Sequence, residues 1–170
     1  MRTMKKFVNV EVRELIERYV NESRLSDLKL LLKIFEKYLD GYNLSESFKA
    51  VHEDYQAAID FIIVQSLLAR KKDMLIYGLS LKGATANFKH GGDYPIIFLA
   101  TERVGDGFIV PRAEASAELT RILIENGADL EVTGFSETSV TTYAERWLRD
   151  PRLPISSRIE LQKIVDLEQN

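Results

Sequence analysis

The chain contains 170 residues, of which 45% are hydrophobic, and it carries a formal net charge of −3 at pH 7. The absence of cysteine excludes disulfides, thiolate metal sites and cysteine nucleophiles, and it fits a reducing compartment. The slightly acidic balance offers no broad positive field to a nucleic-acid backbone. No apolar run approaches the roughly 18 residues of a membrane span, and the first residues lack the apolar core of a secretory signal, so we expect a cytoplasmic protein.

Three helices are predicted in the first part of the chain. Apolar residues at spacings of three and four indicate a first helix over about residues 8–22. Ser26 is positioned to cap a second helix. Asn43 and Glu46 have the spacing of a capping box, which predicts the start of a third. Within that third helix the segment Phe61–Val64 is apolar on every side, which indicates burial between neighbouring elements.

Shorter elements follow these helices. A helix over residues 73–82 precedes the polar segment Thr85–Asp93, whose glycine and asparagine content favours a projecting turn or a β-hairpin finger. Pro95 fits the first turn of a new helix, predicted over about residues 94–103. The insert over residues 104–114 then departs from any regular pattern.

Two segments of the chain share the same internal spacing. An amphipathic helix within Ser116–Leu130 is closed by Gly127, and a similar apolar helix ends at Gly83, 44 positions earlier. Eleven positions beyond these glycines stand Tyr94 and Thr138, each of which opens another apolar helix. Two equal spacings indicate an internal repeat.

This pattern resembles the ankyrin repeat, in which Gly-Ala-Asp and a polar hairpin lead to Thr-Pro-Leu-His-x-Ala and a pair of apolar helices. Tyr94–Ala100 and Thr138–Ala144 stand at the Thr-Pro-Leu-His positions, with Ile97 and Thr141 in place of the histidine. The resemblance covers roughly residues 62–168.

The resemblance implies an all-α fold, namely an irregular ankyrin-like stack of antiparallel helix pairs with an N-terminal helical cap. We expect a single domain over residues 1–170, with the cap over 1–60 and the repeats over 61–170. The closing helix is predicted to begin at a capping box of Ser157 and Glu160 and to keep one polar side, as the end of a stack requires.

Few residues are arranged for catalysis. His52 lies beside Glu53 and Asp54, but neighbouring residues on a helix point in different directions, so a solvated polar face explains them better than a metal site does. The sequence contains no Gly-x-Ser-x-Gly elbow and no phosphate-binding loop. Tyr143 and Trp147, four positions apart, indicate core or interface packing. We therefore expect no catalytic residue, no metal and no cofactor.

The resemblance instead implies a protein partner, because stacked helix pairs present their fingers and inner helices on a rigid concave surface. In ankyrin repeats the contact positions lie in the finger before Thr-Pro and at the end of the following helix. Carried onto this sequence, they are His90, Gly91, Asp93, Thr101 and Glu102, then Gly134, Phe135, Glu137, Glu145 and Arg146. Phe135 is the predicted anchor, because a buried aromatic commonly carries much of the binding energy of an interface.

Other functions fit the same sequence. A small acidic chain without cysteine also suits a bacterial immunity or antitoxin protein that occludes the basic active site of a toxin. An enzyme or small-ligand binder would need a pocket with converging carboxylates, such as Glu53 and Asp54, or a site in the Gly105–Ala115 loop. A homodimer formed through the first two helices is a further alternative.

Overall fold

The computed structural model describes residues 1–4, 10–41, 46–91, 94–101, 115–133 and 138–167. This part of the chain is mostly helical, which confirms the prediction of a predominantly α-helical protein. Its helices are α1 (Val10–Asn21), α2 (Leu25–Gly41), α3 (Glu46–Leu68), α4 (Lys72–Ser80), α5 (Ile97–Thr101), α6 (Ala117–Glu125), α7 (Val140–Leu148) and α8 (Ile155–Asp166), and its strands are β1 (Arg2–Thr3), β2 (Phe88–His90) and β3 (Tyr94–Pro95). None of the helices in these ranges is long and apolar enough to cross a membrane.

Backbone contacts divide the chain into two compact units. The N-terminal unit is Met4–Ala84, and the C-terminal unit is Thr85–Asn170 together with Met1–Thr3. The N-terminal unit holds α1 to α4, and the C-terminal unit holds α5 to α8 and the three strands. The border predicted between a cap and the repeats, at residues 60 and 61, falls inside α3.

The N-terminal unit is built on α3, which contacts α1, α2 and α4. Ile16 and Val20 lie on the predicted apolar face of α1 and are completely buried. Leu28 and Leu32 of α2 are buried in the same way. The segment Phe61–Val64 is buried throughout, as its lack of a polar side predicted, because helices pack around α3 on more than one side.

Gly78 allows α4 to approach α3 closely. A Cβ atom at this position would lie 3.1 Å from side-chain carbons of both Ile62 and Ile63. These isoleucines are fully buried and have little room to move aside. The packing of this helix pair therefore depends on the absence of a side chain at residue 78.

Three helices end with one residue in the left-handed conformation: Ser23 after α1, Arg70 after α3 and Gly127 after α6, with φ of 59°, 56° and 88°. In each case the amide of the next residue donates to the carbonyl five positions earlier, over 2.8 to 2.9 Å. This is the Schellman arrangement, which gives partners to carbonyls that a helix end leaves free. Gly83 is also left-handed, with φ of 89°, but it lies in a turn closed by Leu81 and Ala84 after α4 has ended.

The C-terminal unit contains two helix pairs. Within the pairs α5 contacts α6 and α7 contacts α8, and across the pairs α5 contacts α7 and α6 contacts α8. Ser116 caps α6, because its hydroxyl accepts a hydrogen bond from the Leu119 amide at 3.3 Å. Ser139 caps α7 in the same way, with the Thr142 amide at 3.3 Å.

Charged residues of α8 complete the ends of two other helices. The Glu160 carboxylate accepts a hydrogen bond from the Ala117 amide, 2.9 Å away, at the N-terminus of α6. The Arg158 guanidinium donates to the carbonyls of Leu148 at 2.6 Å and Asp150 at 3.0 Å, at the C-terminal end of α7. Each side chain has a charge opposite to the partial charge of the helix end that it contacts, so both contacts are favourable.

Two predicted caps are wrong. Ser157 and Glu160 form no capping box, because α8 begins at Ile155 and Ser157 is buried inside its first turns. Ser26 does not precede α2, because that helix already begins at Leu25. In both places an earlier apolar residue joins the helix, and the polar residue falls within it.

The helix predicted over residues 94–103 begins later than its proline indicated. Pro95 belongs to β3, and α5 begins at Ile97, because the preceding strand pair extends into this segment. Residues 102–114, which include the predicted insert, lie outside the described ranges, as does Asn43 of the predicted capping box.

We expect Ser23→Gly to stabilise the protein, because a residue with a Cβ atom is strained at positive φ and the Ser23 side chain is exposed. The free energy of unfolding should rise by about 0.5–1 kcal/mol. Ser26→Gly is the matched control, since the same exchange in an exposed turn of α2 should lower it by about 0.5 kcal/mol. Urea denaturation followed by circular dichroism measures both, and effects of the same sign would contradict this explanation.

We expect Glu160→Ala to lower the free energy of unfolding by about 1–2 kcal/mol, because it removes the acceptor of the Ala117 amide and the ion pair with Lys163. Burial raises the pKa of Glu160, but hydrogen bonds from Lys163 and the Ala117 amide outweigh burial and hold the pKa below its ordinary value of 4.5. The stabilisation is therefore complete above that value and is lost as the pH falls through the lower pKa of the folded state.

The measurement is urea denaturation of wild type and Glu160→Ala at neutral pH and at about pH 3. The difference between the two proteins should shrink at the acidic pH. Glu145→Gln, which neutralises an exposed carboxylate of α7, should have little effect at either pH. A difference that stays constant with pH would show that Glu160 does not act as a charged cap.

Candidate functional site

The predicted finger of the C-terminal unit is a small β-sheet. Strands β2 and β3 pair antiparallel, with His90 opposite Tyr94, which confirms the β-hairpin form of the prediction. Strand β1, at the start of the chain, pairs parallel with β2 and places the Arg2 guanidinium over the Phe88 ring, 5.2 Å from its centroid. Gly91 follows β2 with φ of 59°, and a side chain there would meet open space.

His90 lies half-buried on this hairpin. Its Nδ1 atom is buried and has no hydrogen-bond partner among the described residues. Burial lowers the pKa of His90 below its ordinary value, so the ring is neutral at pH 7. The finger therefore offers a neutral imidazole rather than a positive charge.

Asn87 ties the base of the finger to the Gly-Ala-Asp segment that follows α6. Its side-chain amide donates to the carbonyl of Gly127, and its Oδ1 atom accepts from the amide of Asp129 at 3.2 Å. One side chain thus satisfies a backbone acceptor and a backbone donor of a distant loop. No local pattern in the sequence predicts this contact, because it joins residues about forty positions apart.

A line of four aromatic rings crosses from the finger to α7, and we call it the aromatic row: Tyr94, Phe98, Tyr143 and Trp147. Their successive centroids lie 5.7, 5.9 and 6.2 Å apart. Phe98 is only 1% exposed and anchors the row, whereas the other three rings are half-buried. Such tilted and edge-on contacts stabilise the arrangement beyond the area that they bury.

The sequence had indicated part of this row. Tyr143 and Trp147 are spaced for packing, and the structure extends that pair through Phe98 to the finger. Tyr94 and Phe98 have the same spacing of four, which is a usable signal for a second pair. The contact between the two pairs depends on the packing of α5 on α7 and could not be found from spacing.

The residues predicted to contact a partner differ in their exposure to solvent. Glu145 and Arg146 are exposed on α7, as a binding surface requires. Thr101 is a correction, because it is completely buried, its hydroxyl donates to the Phe98 carbonyl at 3.2 Å, and it offers nothing to a partner. The remaining predicted positions lie outside the described residues: Asp93, Glu102, Gly134, Phe135 and Glu137.

Ile97 and Thr141, the two residues at the predicted repeat's histidine position, are both buried. Ile97 is 2% exposed and Thr141 is 5% exposed. The Thr141 hydroxyl has no hydrogen-bond partner among the described residues. Each such buried polar atom without a partner is a cost to the fold.

The described residues contain no group of three or more histidine, aspartate or glutamate side chains placed to hold a metal ion. An open depression beside α1 is lined by Glu11, Glu14, Leu15 and Arg18, and it faces solvent rather than enclosing a ligand. The side chains of Glu53 and Asp54 and residues 105–114, which the enzyme alternative uses, lie outside the described part of the chain.

Comparison with known proteins identified no relative of this chain. No protein-family model matches the sequence, no curated protein matches it significantly, and no solved structure matches its fold significantly.

Proposed function

We propose that the C-terminal unit is a non-catalytic protein-interaction module made of ankyrin-like helix pairs. It binds a partner protein through the aromatic row and the charged residues beside it. The observation that carries this proposal is the row itself, in which buried Phe98 contacts the half-buried Tyr94 and Tyr143, and Tyr143 contacts the half-buried Trp147. The mutual contacts of α5, α6, α7 and α8, two within pairs and two across them, support the ankyrin-like description.

The row suits binding because aromatic side chains combine a large contact area with few rotatable bonds. Phe98 restrains Tyr143, which in turn contacts Trp147, so little conformational freedom remains to be lost when a partner covers these two rings. Residues of these types are enriched among those that dominate interface energies. A row that is already ordered therefore provides a preorganised contact surface.

Arg146 borders the row, because it lies three positions after Tyr143 on the same helix and is exposed. Glu145 is also exposed, next to it in the sequence. The half-buried, neutral His90 lies at the finger, although its Nδ1 atom is itself buried. Charged and polar groups around an apolar centre give an interface its specificity. Phe135 and Glu137 remain predicted members of this surface.

We expect Arg146→Glu and Trp147→Ala each to weaken partner binding at least tenfold, because Trp147 is a member of the row and Arg146 borders it. Arg121→Glu is the matched control: Arg121 is an exposed arginine of the same unit, on α6, and the same charge reversal there should leave binding unchanged. Phe135→Ala, measured in parallel, tests the anchor predicted from the sequence.

The measurement is affinity capture from a lysate of the organism that encodes the chain, followed by titration of the purified partner against each variant. Circular dichroism melting separates loss of binding from loss of folding, which matters for the half-buried Trp147. Equal capture by wild type, Arg146→Glu and Trp147→Ala would show that the row is not the binding surface. The identity of the captured protein also decides whether a toxin is the partner.

A further inference from the structure

The outer side of α2 carries two apolar residues that are exposed in the described part of the chain. Leu28 and Leu32 on the inner side of this helix are buried, whereas Leu30 is 59% exposed and Ile34 is 51% exposed on the opposite side. Because they are four positions apart, these two side chains adjoin on the helix surface. They form a small apolar patch of the N-terminal unit.

Charged residues extend this patch in both directions. Asp27 lies three positions before Leu30, and Lys37 lies three positions after Ile34. Spacings of three, four and three keep all four residues on one side of the helix, and we call them the α2 stripe. Asp27 accepts a hydrogen bond from Arg24 at 2.7 Å and still has 41% of its side chain exposed, and Lys37 is exposed as well.

We propose that the α2 stripe binds the α2 stripe of a second copy of this chain, with the two helices antiparallel. The two-fold axis lies on the outer side of α2, level with residue 32. It places Leu30 of each copy against Ile34 of the other, and Asp27 of each copy against Lys37 of the other. The stripe is therefore complementary to itself in shape and in charge. In a parallel pair Asp27 would face Asp27 and Lys37 would face Lys37, so the charges select the antiparallel orientation.

The size of the stripe sets the strength of the contact. A helix of 17 residues is about 25 Å long, and one of its sides offers less than the roughly 800 Å² per partner of a standard interface. The dimer is therefore weak and reversible. This proposal is independent of the proposed function, because α2 belongs to the N-terminal unit and the aromatic row to the C-terminal unit.

A second exposed apolar pair provides a matched comparison. Ile155 and Ile159 of α8 are 77% and 51% exposed. Three positions before this pair stands Arg152, which pairs with Asp150, and three positions after it stands the uncharged Gln162. This stripe has no opposite charge with which to complement itself. Ile159 therefore equals Ile34 in exposure but lies outside the proposed interface.

Sedimentation equilibrium of the full chain over a concentration series tests the proposal. Wild type should pass from monomer to dimer mass as the concentration rises. Ile34→Lys should weaken self-association at least tenfold, because it places two extra positive charges in the apolar centre of the dimer. Ile159→Lys, an identical exchange at equal exposure, should leave self-association unchanged.

Asp27→Lys and Lys37→Asp test the orientation. Each variant alone places like charges opposite each other and should self-associate about tenfold more weakly than wild type. An equimolar mixture of the two restores opposite charges at both ends, and a mixed dimer of near wild-type affinity should form. A wild type that stays monomeric, a loss of self-association in Ile159→Lys equal to that in Ile34→Lys, or a mixture that associates no better than the single variants would each overturn the proposal.

Discussion

The contacts that α8 makes with the ends of two other helices fix the framework of the C-terminal unit. A helix end leaves backbone groups without partners, and here Glu160 receives an amide of α6 while Arg158 binds carbonyls at the end of α7. Both helices are thus held against the same element by directional, charge-assisted hydrogen bonds. Because α7 carries Tyr143 and Trp147, this framework also orients these two half-buried rings of the aromatic row. A rigid support of this kind lowers the entropic cost of binding.

The proposed partner surface and the proposed self-association surface use different chemistry in different units. The aromatic row relies on ring contacts around the buried Phe98, with charge at its border. The α2 stripe relies on two exposed aliphatic residues between opposite charges.

Local signals in the sequence were reliable where the determining physics was local. The spacing of apolar residues predicted the helices. A helix buries one side, and residues three or four positions apart lie on the same side. Gly127 ends α6 as predicted, because a helix exit requires a conformation that glycine adopts without strain, whereas the helix predicted to end at Gly83 already ends at Ser80. Ser157 failed as a cap because Pro154 and the apolar Ile155 had already started the helix, whereas Ser116 and Ser139, which were not predicted as caps, do cap α6 and α7.

The sequence by itself therefore determined the helical class, the course of the helices and the hairpin character of the segment before Tyr94. Only the tertiary structure decided which distant side chains hydrogen-bond to the ends of these helices and to the loops. Glu160 and Ala117 are 43 positions apart, and Asn87 reaches a loop 40 positions away, so no local pattern could pair them. Long-range packing also explains three other positions: Pro95 lies in a strand, Thr101 is buried, and the two aromatic pairs form one row. Each outcome depends on what packs against the residue, and that is set by long-range contacts rather than by neighbours in the chain.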